Sequence, residues 1–176
     1  MDILFVIDYQ KDFVDGALGF AGAERLDEKI AARVREYGPG RVWYTMDTHY
    51  EDYINTREGR NLPVPHCIRG SEGWQNYGQT AEALAEVGAV GIEKRTFGMD
   101  LGDPAVLAKL PERVDNIELC GLVSNICVVS NAAVLQGHYP DAQLTVDARL
   151  TDSFDNDLNE KVLDVLAGLQ VKVLNR

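Results

Sequence analysis

Apolar and β-branched residues fall in short runs separated by stretches in which apolar positions recur every three or four residues. This alternation predicts βαβ units, because parallel strands covered on both faces read as nearly continuous apolar runs. Six strands are expected, at Ile3 to Ile7, Arg41 to Met46, Ala89 to Ile92, Asn116 to Cys120, Gln143 to Val146 and Gln170 to Leu174. Helices are expected between them, at Glu24 to Tyr37 ahead of Gly38-Pro39-Gly40, Gln79 to Glu86 ahead of Gly88, and Pro104 to Leu110 ahead of Pro111. Two more, Asn125 to Gln136 and Asn156 to Leu166, carry apolar residues at helical spacing.

The elements predict an α/β, three-layer, doubly wound fold around a six-stranded, mostly parallel sheet, with residues 1–176 in one domain. One stretch, Thr48 to Gly78, is too long for an ordinary connection, where about 4 to 6 residues is typical. It holds Gly, Pro, His and aromatic residues, as functional loops do.

Polar residues of chemical interest sit at strand ends, where ligands collect in open parallel sheets. Asp8 ends the first apolar run, Asp47 the second, Lys94 follows the third, and Cys127 lies in the turn after the fourth. Taken singly each has an ordinary explanation: a carboxylate that caps a turn, a solvated lysine, a buried cysteine. In Gly121-Leu122-Val123-Ser124-Asn125-Ile126-Cys127, however, Ser124 and Asn125 are placed to cap the next helix. The thiol then enters the first turn, where helix amides and a nearby cation favour thiolate.

Asp47 and His49, two apart in an extended segment, face one side and together offer a cation two ligands. With His66 they make a carboxylate and two imidazoles, a set that suits Zn, Fe or Mn. Glu58 stands among Arg57, Gly59 and Arg60, where it serves either as a further ligand or in a surface ion pair. Cys67 and Cys120 read as buried core residues, and Phe13, Trp74, Tyr77 and Phe97 as flat apolar walls near these loops.

Charge narrows the partners. With 17 Lys and Arg against 28 Asp and Glu, the net charge of −11 opposes nucleic acid and anionic membranes. No apolar run approaches the roughly 20 residues of a membrane span. The acidic flanks of Ile3 to Ile7 are unlike a secretory leader, so a cytoplasmic protein is expected. Three cysteines without a close pair predict reduced thiols rather than a disulfide framework.

Several segments together resemble the isochorismatase-like cysteine hydrolases, specifically their nicotinamidase branch. They are Val6-Ile7-Asp8-Tyr9-Gln10-Lys11-Asp12-Phe13, Tyr44-Thr45-Met46-Asp47-Thr48-His49, Val64-Pro65-His66-Cys67-Ile68-Arg69-Gly70, Glu93-Lys94 and Gly121 to Val128. The resemblance implies Cys127 as nucleophile, Asp8 as general base and Lys94 as the group that orients Asp8. It places oxyanion donors at the backbone N–H groups of Val123 and Cys127, with a cis peptide between Leu122 and Val123. It implies a divalent metal, zinc foremost, on Asp47, His49, His66 and in some relatives an acidic fourth ligand such as Glu58. The substrate implied is nicotinamide, hydrolysed to nicotinate and ammonia in NAD salvage, with Phe13 and Phe97 against its ring and homo-oligomers among the relatives. One departure stands out: the tryptophan many nicotinamidases carry before this histidine is missing from Asn61-Leu62-Pro63-Val64-Pro65-His66.

Two other readings use the same residues. A related cysteine hydrolase would act on another small amide, carbamoyl or ureido compound, or on an isochorismate-like vinyl ether. A non-catalytic domain would bind a ligand or sense oxidants through Cys127, and predicts that its sulfur lies far from Asp8 and Lys94.

Overall fold

A computed structural model describes residues 1–176. Strands β1 (Asp2–Ile7), β2 (Val42–Asp47), β3 (Val90–Lys94), β4 (Asn116–Leu122), β5 (Gln143–Asp152) and β6 (Lys172–Leu174) form one sheet in the order β3-β2-β1-β4-β5-β6. Every neighbouring pair runs parallel, so the sheet expected to be mostly parallel is parallel throughout. The helices are α1 (Lys11–Val14), α2 (Asp27–Tyr37), α3 (Arg57–Asn61), α4 (Gly78–Glu86), α5 (Pro104–Leu107), α6 (Val129–His138) and α7 (Asn156–Gly168).

Strand alternation divides the core into two layers. Ile3, Phe5 and Ile7 point to the face covered by Leu135 of α6 and Leu163 and Leu166 of α7. Leu4 and Val6 point to the other, against Ile30 and Val34 of α2 and Leu84 of α4. All of these side chains are buried, and each contributes on the order of 1.5–3 kcal/mol through lost apolar surface.

Most expected elements differ in their bounds by a few residues: the helix expected over Asn125 to Gln136, for example, opens with a π turn and becomes α-helical only at Val129, and the strand expected from Gln170 starts at Lys172. The helix expected over Glu24 to Tyr37 opens with a 3₁₀ turn, Ala23–Leu26, before α2 begins. The one expected over Pro104 to Leu110 is a single turn capped by Asp103, whose side chain accepts from Ala105 N. Beyond that turn, Lys109 Nζ donates to Gly91 O on the sheet edge at 2.7 Å and Lys109 O accepts from Trp43 Nε1 at 2.8 Å. β5 runs past Val146 to Asp152 through an irregular register against β4, and there Asp147 and Arg149 interrupt the apolar run that marks a buried strand.

The chain winds outward from β1 to β2 and β3, then crosses to β4 on the other side of β1. The carboxyl ends of β1 and β4 therefore flank the crevice at the reversal of strand order. Gly121 permits this close approach: its φ is +106°, and a Cβ there would lie 2.1 Å from Ile7 O.

Candidate active site

Asp8, Lys94 and Cys127 meet at this crevice. Lys94 Nζ lies 2.7 Å from Asp8 Oδ2 and 3.8 Å from Cys127 Sγ, and it donates to Thr96 O at 3.0 Å. Asp8 is wholly buried, with Lys94 4% and Cys127 5% exposed. Each stands where the sheet delivers it: Asp8 follows β1, Lys94 ends β3, and Cys127 lies in a π-helical turn, Ser124–Val128, between β4 and α6. Asp8 holds φ at +44°, a left-handed conformation uncommon outside glycine. The Leu122–Val123 peptide bond is cis.

Ser124 and Asn125 are not the caps expected, since no side chain caps the π turn. Ser124 Oγ donates to Asn159 Oδ1 at 2.6 Å and Asn125 Oδ1 accepts from Ser153 Oγ at 2.8 Å, so both residues tie the Cys127 turn to the α7 side of the fold.

The electrostatics correct the expected thiolate. Burial pushes the Cys127 thiol far above its ordinary range, the Lys94 ammonium draws it back incompletely, and Asp8 and Asp47 push it further up. Burial also raises the Asp8 carboxyl against the pull of Lys94. Burial lowers the Lys94 pKa, but Asp8, Cys127 and Asp47 outweigh it and the net shift is upward. A buried cation between a thiol and two carboxylates costs stability to maintain, and such strongly perturbed groups gather at functional sites.

Beside the triad, one nitrogen or oxygen each from Asp47, His49, Glu58 and His66 lie within 4.8 Å of one another. His49 Nε2 is 3.0 Å from Asp47 Oδ2 and 3.6 Å from Glu58 Oε1, and His66 Nε2 is 3.4 Å and 3.6 Å from the same two atoms. Around an ion with bonds of about 2.1 Å, neighbouring ligand atoms sit about 3.0 Å apart at right angles and about 3.4 Å apart at tetrahedral angles. The donor set and its spacing thus fit a divalent metal. His66 Nδ1 lies 2.8 Å from Val64 O; donation along that line leaves the Nε2 lone pair for the cluster. Burial and the nearby Asp47 charge raise the Glu58 carboxyl, a repulsion that a cation would relieve. Burial would raise Asp47 too, but hydrogen bonds with His49 and His66 and the Lys94 charge win and lower it.

Local structure explains how the long loop delivers these groups. Thr56 starts α3 by accepting from Gly59 N at 3.0 Å, which points Glu58 inward. A one-residue parallel bridge between His49 and Ile68, with His49 N donating to Cys67 O and Arg69 N to His49 O, brings His66 alongside. The Tyr53 ring packs 4.6 Å from the His49 ring and 5.1 Å from that of His66, while Phe13 lies 5.5 Å from His66. Phe97, by contrast, is 43% exposed and turns its ring to solvent. Trp74 donates from Nε1 to Thr48 Oγ1 and lines an outer cleft of about 720 Å³ with Tyr50, Ile68 and Arg69, which contains neither the triad nor the metal-type donors. Cys67 and Cys120 are core residues.

Sequence reasoning passed over the residues that hold these groups in place. Gln10 clasps the backbone of Asp47, accepting from its N–H at 2.8 Å and donating to its carbonyl at 3.0 Å, and also donates to Trp74 O at 2.8 Å. Thr45 donates to Asp8 Oδ1 at 2.6 Å. Buried Asn131 accepts from Met99 N and donates to the carbonyls of Phe97 and Cys127. Gln10 and Thr45 both stand within the motif segments, which was the signal available for them.

A parallel sheet whose strand ends assemble a buried carboxylate, ammonium and thiol defines an α/β fold with the groups of a cysteine hydrolase. The chain belongs to the isochorismatase domain family, whose model matches residues 2–176. Among solved structures it is similar to a nicotinamidase/pyrazinamidase from Bacillus subtilis, at 23% identity over 99% of each chain with a TM-score of 0.86. It is also similar to a pyrazinamidase of Pyrococcus horikoshii in complex with zinc, at 21% identity over 99% of each chain and 0.81. A protein from L. infantum in complex with nicotinate aligns at 22% identity over 99% of this chain and 92% of its own, with 0.83. No curated protein sequence matches. No helix is long and apolar enough to cross a membrane.

Proposed function

We propose that the chain is a metal-dependent cysteine amidohydrolase that converts nicotinamide to nicotinate and ammonia. The observation that carries this reading is the meeting of Asp8, Lys94 and Cys127 around one ammonium, beside four converging metal-type donors. The zinc and nicotinate complexes of similar folds support it.

Cys127 is the nucleophile and Asp8 its base. As sulfur attacks the carboxamide carbon, Asp8 takes the thiol proton and then passes it to the departing nitrogen, which leaves as ammonia. Asp8 next removes a proton from water, the resulting oxygen nucleophile cleaves the thioester, and the proton returns to sulfur as nicotinate departs. Lys94 keeps Asp8 ionised before attack and balances negative charge as it moves between oxygen and sulfur. The Val123 and Cys127 amides receive the tetrahedral oxyanion. Asp47, His49, His66 and Glu58 would hold the metal, zinc by preference, which when bound supplies a Lewis acid to anchor the pyridine nitrogen. Phe13, packed against the His66 ring, forms one wall of the ring site. The setting implied is NAD salvage in the cytoplasm.

The test is ammonia release from nicotinamide by zinc-loaded protein, with Cys127→Ala lowering kcat by on the order of 10⁴-fold or more. A fully metal-loaded wild type that releases no ammonia rejects the substrate.

A further inference from the structure

Thr45 is buried near the end of β2 and stands in the network as both donor and acceptor. Its hydroxyl oxygen accepts from the Asp8 backbone N–H at 3.2 Å and donates its only proton to Asp8 Oδ1 at 2.6 Å. Because the amide approaches the oxygen as a donor, the hydroxyl proton is committed to the carboxylate. The two Asp8 oxygens are thereby made unequal. Oδ1 is tethered to the sheet, whereas Oδ2 lies 2.7 Å from Lys94 Nζ and is held by that ammonium alone. Oδ2 shares that ammonium with the Cys127 sulfur.

We propose that Thr45 is a positioning residue for the proton shuttle: its hydroxyl fixes the rotation of the Asp8 carboxylate so that Oδ2 receives and returns the Cys127 proton. The tether persists through the cycle, since Oδ1 accepts from Thr45 whether Oδ2 is bare or protonated. When sulfur bonds to the carboxamide carbon, the thiol proton moves to Oδ2, and it leaves with the amine as the C–N bond breaks. Water then resupplies Oδ2 as the thioester opens. A carboxylate free to rotate would spend part of its time with the protonated oxygen turned from the sulfur, which slows each transfer without changing how substrate binds.

This inference rests on the proposed cysteine hydrolase chemistry, and its test separates the two. Zinc-loaded full-length wild type, Thr45→Val and Thr45→Ser are compared on nicotinamide, and in parallel by the rate at which iodoacetamide alkylates Cys127, read by mass spectrometry. Thr45→Val keeps the shape of threonine and removes the hydroxyl. Its kcat is expected to fall roughly 10- to 100-fold with KM within about twofold, and Thr45→Ser to stay within about threefold of wild type. Alkylation should slow in Thr45→Val and recover in Thr45→Ser. If wild type leaves nicotinamide intact while the alkylation pattern holds, the substrate reading fails and the role of Thr45 stands. A valine variant that matches wild type in both measurements overturns the role, as does a loss confined to KM. If Thr45→Val does not fold, Thr45→Ala carries the same expectation, and a serine variant impaired more than about tenfold is by itself sufficient to overturn it.

Discussion

Two buried carboxylates in this chain are handled in opposite ways. Asp8 keeps a pKa raised by burial against the pull of Lys94, which lies 2.7 Å from its Oδ2. Asp147, 1% exposed in β5, also suffers burial, but hydrogen bonds from the Arg149 side chain and backbone and from Asn175 outweigh it and lower its pKa. A lowered folded pKa stabilises the fold above the unfolded value, about 3.9, and that contribution is lost as pH falls through the folded value. Asp147→Asn is therefore expected to lower stability by about 1.5–3 kcal/mol at pH 7 and by clearly less at pH 3, in paired urea denaturations. Equal deficits at the two pH values would contradict the assignment. The positions of Asp8, Lys94 and Cys127 were legible because each stands at the end of an apolar run. Thr45, Gln10 and Asn131 were not: their partners lie 37, 37 or 64, and 32 to 34 residues away when the nearest contact is set aside, and a buried polar residue satisfied from a distance leaves no local pattern.

At the scale of elements, the strands were readable and the ends of helices less so. Continuous apolar runs mark strands covered on both faces, and all six were found in the right order. The short α5 and the long β5 escaped because bonds to other elements, not local propensity, set their bounds. The same limit applies to the Cys127 turn: a helix end argues for a lowered thiol pKa, yet the depth at which β4 delivers Cys127 pushes the thiol up. How closely β4 passes β1 is itself testable. Gly121→Ala puts a methyl group against Ile7 O in a backbone conformation that disfavours any side chain, and is expected to cost about 2–4 kcal/mol. Chemical denaturation measures it, and a change under about 1 kcal/mol would mean that the strands separate easily there.

Across the whole molecule, the metal-type donors join β2 to the long connection that leads to α4. An ion held by Asp47, His49, Glu58 and His66 binds only the folded chain, so it should act as a staple. At a free zinc concentration about 100 times its dissociation constant, stability rises by about 2.7 kcal/mol, or roughly 5–10 °C in Tm for a chain of this length. Thermal melts before and after dialysis against a chelator should show that gap, and His66→Ala should remove most of it; identical melts would refute the staple. The alternation along β2 ties this site to the triad more tightly than proximity does. Thr45 and Asp47 face one way and Met46 the other, with Thr45 level with Ile7 and Asp47 with Lys94. A slip of that strand by one place would swing a thioether into line and withdraw the hydroxyl and the carboxylate together. An insertion or deletion in β2 ahead of Thr45 therefore shifts Thr45 and Asp47 together, so the Asp8 tether and the donor cluster share a single point of failure.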